Sequence, residues 1–199
     1  MNQTVLITGA SRGIGLALAQ QFLDKGFTVI GTSRTGILQN STTSKLIAQK
    51  LDLPDEESRI AFAKWLAANE IKIDILINNA GVGPDLGADK PEAKSYNDTF
   101  DVNTRGTVFF TELVLPYIKN GGKVINISSK MGSIGVCGTT DSVAYRMSKA
   151  ALNMYTKILT NRLKDTQKVA AIHPGWVRTT ISESSSKYCL LYTSPSPRD

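Results

Sequence analysis

Tyr145 and Lys149 stand four residues apart in the run Tyr145-Arg146-Met147-Ser148-Lys149. On a helix that spacing puts a phenol and an ammonium on one face, one turn apart. An isolated phenol, with a pKa of about 10, is a poor acid/base near pH 7. A neighbouring ammonium favours the phenolate, and roughly 4 kcal/mol of differential interaction brings the phenol into the working range. The same spacing occurs on ordinary helices, where tyrosine packs and lysine is solvated. Chemistry therefore needs partners elsewhere. Ser128 and Ser129 are adjacent and face opposite ways, so each is a rival hydrogen-bond donor to a substrate oxygen. His173 is the only histidine; it directly precedes Pro174 at a strand end and reads as structural. Cys137 reads as an uninvolved loop thiol.

A second chemical signal lies near the start. Thr8-Gly9-Ala10-Ser11-Arg12-Gly13-Ile14-Gly15 follows one apolar run and opens the next helical pattern. Glycines let a backbone turn sharply and approach a pyrophosphate, and the helix N-terminus offers free N–H groups to phosphates. Glycines in a turn are often plain punctuation. The placement between strand and helix favours a dinucleotide site.

The elements that would carry these groups alternate. Strand patterns cover Thr4–Thr8, Phe27–Thr32, Lys45–Leu51 (the weakest), Ile73–Ile77, Lys123–Ile127 and Val169–Ile172. Helical patterns cover Ile14–Lys25, Asp55–Asn69 behind Pro54, Tyr96–Lys119 with a bend or end near Pro116, and Val143–Leu163. The last carries Ala144, Met147, Ala151, Tyr155, Ile158 and Leu159 on or near one face. Residues 33–44 read as a polar loop. Repeated β-α alternation predicts an α/β, doubly wound fold with a mostly parallel sheet, and a ligand site beyond the carboxyl ends of the strands.

The composition suits one soluble domain: 199 residues, 41% apolar and 20% charged. No apolar run approaches the roughly 20 residues that span a bilayer, so no membrane role is expected. A strand pattern begins at Thr4, so no secretory signal is expected and a cytoplasmic location is the default. The formal charge of +6 comes from scattered lysines and arginines, which argues against nucleic acid and suits an anionic small molecule. The two cysteines, Cys137 and Cys189, have no metal-binding spacing, and no metal is expected.

The motifs together resemble the short-chain dehydrogenase/reductase family. The turn has the spacing TGxxxGxG; Asn78-Asn79-Ala80-Gly81 resembles its NNAG, Asn103 its helical asparagine, Ser129 its serine, Tyr145 and Lys149 its YxxxK, and Pro174-Gly175 its PG. They occur in family order between Thr4 and about Thr179. The resemblance implies a Rossmann sheet in the order 3-2-1-4-5-6. It implies catalytic roles for Asn103, Ser129, Tyr145 and Lys149, and cofactor contacts at Gly9, Ser11, Arg12, Gly13, Ile14, Gly15, Arg34, Asp52, Leu53, Asn79, Ala80, Gly81, Tyr145, Lys149, Pro174, Gly175, Val177 and Thr179. It favours Ser129 over Ser128, and Asp52 resembles the residue that meets the adenine amine, although an N-cap for the following helix is an equal reading.

NADP(H) is expected over NAD(H). The second strand ends Gly31-Thr32-Ser33-Arg34, without the acid that bonds a ribose 2′-hydroxyl. Arg34 and Arg12 can instead meet a 2′-phosphate, unless both are merely solvated. The implied reaction is hydride transfer between NADPH and a small carbonyl or alcohol substrate. Ser129 would orient the carbonyl, Tyr145 protonate the alkoxide, Lys149 hold the nicotinamide ribose, and Asn103 hold a water that relays protons. The loop of residues 130–142 and the YRxSK and HPGWVRT segments resemble the carbonyl-reductase-like branch, and that loop is expected to wall the substrate pocket. An epimerase/dehydratase would use a differently spaced turn; a silent, cofactor-sensing regulator would not need Ser129, Tyr145, Lys149 and Asn103 together. The resemblance also leaves room for a homo-oligomer through the Val143–Leu163 helix.

Residues 189–199, CLLYTSPSPRD, carry no apolar period and resemble a translated adapter from a transposase-type sequencing library. The expectation is a single domain over residues 1–188, a native frame that is cut near Tyr188, and a non-native tail. The family's seventh strand would then be missing, since a helix, a strand and their loops need at least about 25 residues. The sixth strand would be an exposed edge, prone to aggregate.

Overall fold

The computed structural model describes residues 3–38, 43–175, 177 and 181. Thr179 and the tail of residues 189–199, Cys189 included, lie outside them. Strands β1 (Thr4–Ile7), β2 (Thr28–Ser33), β3 (Leu46–Lys50), β4 (Ile73–Asn78), β5 (Ile118–Ile127) and β6 (Lys168–Ile172) form one sheet in the order β3-β2-β1-β4-β5-β6. Every pairing is parallel. This is the doubly wound order the motifs imply.

β1 shows why. Val5, Leu6 and Ile7 are all fully buried, as a strand covered on both faces must be. Leu6 packs into a cluster with Ile30, Phe62, Leu66, Phe110, Leu152 and Leu159. Val5 and Ile7 point the other way, to Val29, Ile75, Ile77 and Ala19. Helices α2 (Glu56–Ala68), α4 (Thr107–Val114) and α5 (Val143–Arg162) supply the first layer, and α1 (Gly13–Asp24) the second. Asp55 caps α2, accepting from the Glu57 N–H at 3.0 Å, so Asp52 is not the cap. Among the described residues β6 is an edge of the sheet, and four of its five residues are exposed.

Two expectations need correction. The helix expected over Tyr96–Lys119 is instead α3 (Ala93–Phe100), a π-helical turn at Asp101–Gly106, α4, and a 3-10 turn at Leu115–Tyr117. Pro116 ends it because proline cannot donate to the helical ladder. Ile118 already pairs with Ile73, and residues 119–122 loop out before Lys123 meets Ile75. Gly121 makes that excursion at φ +77°, and Lys119 anchors it on Asp74 at 2.9 Å.

The second correction concerns α5. Its buried face is Ala144, Tyr145, Ser148, Lys149, Leu152, Tyr155, Thr156 and Leu159. Met147 and Ile158, expected inside, are about half exposed. An apolar pattern misses this face because polar residues occupy it, each with a partner inside. Ser148 Oγ donates to the Tyr145 carbonyl, Thr156 Oγ1 accepts from Asn126 Nδ2 and Lys149 Nζ donates to the Ile127 carbonyl.

Candidate active site

At the carboxyl ends of β1, β2, β4 and β5 lies a cleft of about 850 Å³. One end is built on glycines that the chain cannot replace without strain. Gly9 and Gly13 have φ of +67° and +57°. A Cβ on Gly15 would lie 2.2 Å from the Gly9 carbonyl oxygen and 2.5 Å from Asn79 Nδ2. Asn79 holds this turn to the end of β4: its amide donates to the Thr8 and Gly9 carbonyls at 2.9 and 3.1 Å. Thr8 Oγ1 in turn accepts from the Asn79 and Ala80 N–H groups, both at 3.0 Å. The result is a tight, pre-set turn at the N-terminus of α1, suited to phosphates.

Ser11, Arg12, Gly13, Ile14 and Arg34 line this end. Arg12 and Arg34 are exposed, and neither carries an ion pair among the described residues. Asp52, Leu53, Ala80, Gly81 and Pro174 line the cleft further along. Gly175 turns at φ +79°; neither it nor Val177 lines the cleft, while Ile181 does. The turn before α2 approaches the π-helical segment so closely that a Cβ on Gly106 would lie 2.5 Å from the Leu53 carbonyl oxygen.

At the other end Tyr145 and Lys149 both reach the cleft wall and are both buried. Lys149 Nζ lies 5.7 Å from the Tyr145 ring centroid and donates to the Ile127 carbonyl at 2.9 Å. The Ser129 hydroxyl lies beside the phenol and favours its ionised form, while accepting from the Met131 N–H at 3.1 Å. Ser128 lines the cleft, but its hydroxyl is engaged, donating to Asn153 Oδ1 at 2.6 Å. Asn103 is buried in the π-helical turn, a feature common at functional sites. Its Nδ2 donates to the Val82 carbonyl at 2.8 Å and to Ser148 Oγ at 3.1 Å, and its Oδ1 accepts from the Val82 N–H at 2.8 Å. That side chain clamps the segment after β4 to α5.

Burial pushes the Tyr145 phenol above its ordinary value; the Ser129 hydrogen bond pulls it down and the Asp85 charge pushes it up. The lowered phenol expected from the lysine is therefore not what the protein's own groups produce. Burial also depresses Lys149, from 10.5 to about 8. Between those values the unfolded chain holds a proton that the folded chain lacks, so Lys149 makes stability rise with pH across this window. The melting temperature of the wild type relative to Lys149→Met is expected to be flat below pH 7 and to climb between about pH 8 and 10.5. A difference that stays level there would show that the ammonium is not penalised.

Several participants carry no sequence signal. Asp85 is buried, and its Oδ2 accepts from the backbone N–H groups of Ala144 and Tyr145 at 2.7 and 3.2 Å. Ser142, fully buried, sits in the left-handed region at φ 59°. Gly132 packs on the Lys149 backbone, where a Cβ would lie 2.6 Å from the Lys149 carbonyl carbon. Only the folded contacts reveal these. The loop of residues 130–142, expected to wall the pocket, contributes no residue to the cleft lining; it forms two short 3-10 turns and leaves Ile134 88% exposed. His173 follows β6 on an exposed stretch, also away from the lining. No described helix is long and apolar enough to cross a membrane, and the described residues hold no cluster of metal ligands.

Comparison with known proteins agrees with this geometry. The family model for short chain dehydrogenase matches residues 3–189. Retinol dehydrogenase 12 of Bos taurus is 34% identical over 216 residues, 98% of this chain and 68% of that protein. The NADPH-bound carbonyl reductase from chicken fatty liver superposes with a TM-score of 0.82 at 28% identity, covering 90% of this chain and 78% of that one. A carbonyl reductase from Pseudomonas aeruginosa gives 0.77 at 30% identity, covering 92% and 88%.

Proposed function

The chain belongs to the short-chain dehydrogenase family, an oxidoreductase family that uses a nicotinamide cofactor; from that premise we propose that it is an NADPH-dependent carbonyl reductase in which Tyr145 is the proton donor. The observation that carries this reading is that Tyr145 and Lys149 line the cleft whose other end is the glycine turn, with Ser129 beside the phenol.

The residues present fit the cofactor. Gly9 and Gly15 leave no room for a Cβ inside the turn, which keeps it tight enough for a pyrophosphate to approach its backbone. Arg12 and Arg34 line the cleft and carry no ion pair among the described residues, so they would be free to supply charge to a 2′-phosphate. Asp52 and Leu53 would border the adenine, Asn79, Ala80 and Gly81 the central ribose region, and Tyr145 and Lys149 the nicotinamide ribose. The bound nicotinamide would supply the hydride.

The chain's own groups do the rest. Ser129 donates a hydrogen bond to the substrate carbonyl oxygen and fixes its place. A phenol held above its ordinary value is protonated at neutral pH but is a weak acid, so its proton transfer depends on groups that favour the phenolate. Its O–H donates to the carbonyl oxygen and passes the proton as alkoxide charge develops. The Lys149 ammonium, 5.7 Å from the ring, then stabilises the phenolate left behind. The clamp by Asn103 keeps Lys149 and Tyr145 in register with the β4 end.

The test is consumption of NADPH with a panel of aldehydes and ketones, matched to carbonyl lost. Chain that binds NADPH but turns over none of them would overturn the reading in favour of a cofactor sensor. Nucleotide choice has its own test. Arg12→Ala and Arg34→Ala are each expected to raise the Kd for NADPH about tenfold, from loss of one charge-assisted contact, and to leave the Kd for NADH unchanged. Calorimetric titration with both nucleotides reads this; equal losses for the two would remove the 2′-phosphate role.

A further inference from the structure

The first turn of α5 carries Tyr145, and its own N-cap does not cap it. Ser142 makes no side-chain bond to the helix N-terminus. Its Oγ donates to Asp141 Oδ2 at 2.6 Å and accepts from the Gly87 N–H at 2.9 Å, and its N–H donates to the Ala88 carbonyl at 2.9 Å. The cap comes from elsewhere. Asp85 Oδ2 accepts from the Ala144 and Tyr145 N–H groups, 59 and 60 residues along the chain. Asp85 Oδ1 is buried and has no hydrogen-bond partner among the described residues. A buried carboxylate oxygen left in this way is unfavourable, and stability alone would be served by a cap from Ser142 itself.

We propose that Asp85 is a positioning residue for the reaction at Tyr145: reaching in from the segment after β4, its carboxylate replaces Ser142 as the cap of α5 and fixes where the phenol stands and what charge it faces. The inference rests on Tyr145 being the proton donor. The segment that bears Asp85 also carries Gly81 and Gly83, and a Cβ on Gly83 would lie 3.1 Å from the Tyr145 ring. Cofactor side and acid side are thus tied by one short stretch.

The charges around the phenol decide the direction of the test. Lys149 and Arg146 lie on α5 itself, and Arg146 is paired with Asp141 at 3.0 Å. Lys130 follows Ser129 and is exposed, and Asp98 and Asp101 border the same cleft. Asp85 is the negative charge that, after burial, favours the protonated phenol, against the Lys149 ammonium 5.7 Å from the ring.

Asp85→Asn keeps a carbonyl oxygen as acceptor and removes the charge. In cofactor-free protein, the ultraviolet absorbance of tyrosinate, taken as the difference from the matching Tyr145→Phe protein, is expected to show the phenol ionising lower by on the order of one pH unit. The alkaline limb of carbonyl reduction is expected to move down with it. A phenol that titrates where the wild type does, or higher, overturns the inference. Asp85→Glu keeps the charge but shifts the cap. It is expected to lower kcat about tenfold, as a displaced reacting group does, with the KM for NADPH unchanged. An unchanged kcat in that variant overturns the positioning role and decides the matter should Asp85→Asn not fold. If Tyr145→Phe itself retains turnover, the reading of Tyr145 fails. If Tyr145→Phe is dead and the Asp85 variants behave as wild type, only Asp85 loses its role.

Discussion

Tyr145→Phe is expected to lose carbonyl reduction by on the order of 10³-fold while binding NADPH as tightly as the wild type. The substitution removes one oxygen from a buried ring and leaves the packing intact. General acid catalysis by a positioned group contributes about 10²- to 10⁴-fold, and no described side chain stands ready to take over. The Ser129 hydroxyl accepts from the Met131 N–H, and the Lys149 ammonium is held by the Ile127 carbonyl. The effect should fall on kcat, because the phenol's contact strengthens only as negative charge develops on the substrate oxygen. Steady-state kinetics beside fluorescence titration of NADPH checks both halves. A variant that keeps its kcat would refute the role of Tyr145, and one that fails to bind NADPH would show that the ring was holding the cleft open.

The second large effect belongs to the glycine turn. Gly15→Ala is expected to raise the Kd for NADPH on the order of 100-fold, the scale of forcing a methyl group into a packed site. The new Cβ would lie 2.2 Å from the Gly9 carbonyl oxygen and 2.9 Å from its carbon. Neither can yield freely: Gly9 is fixed at φ +67° and its oxygen accepts from Asn79 Nδ2 at 3.1 Å. Relief has to come from opening the turn that would receive the phosphates. Gly138→Ala is the control, since a Cβ there meets nothing within 4 Å; it should bind NADPH as the wild type does. Calorimetry on the two variants separates the site from a general effect of alanine. Equal affinity in Gly15→Ala would show that the turn does not hold the nucleotide.

The sequence was most informative where function restricts residue type over short distances. The glycine turn, the asparagines after β4 and the Tyr145 and Lys149 pair are local patterns, and each is legible without any tertiary contact. The sheet order was legible because those motifs together resemble one family. The face of α5 was not, because Ser148, Lys149 and Thr156 face inward on bonds to α5's own backbone, β5 and the Ile127 carbonyl. An apolar count cannot see such partners.

Residue types and spacing by themselves determined the parallel α/β plan, the glycine turn after β1 and the face shared by phenol and ammonium. Backbone periodicity and the lack of a Cβ act within a few residues. The folded chain alone decided that Asp85 caps a helix 59 residues away and that Tyr145 is made less acidic by its surroundings. Burial and charge depend on what the chain brings together from a distance, and a one-dimensional pattern does not contain those distances.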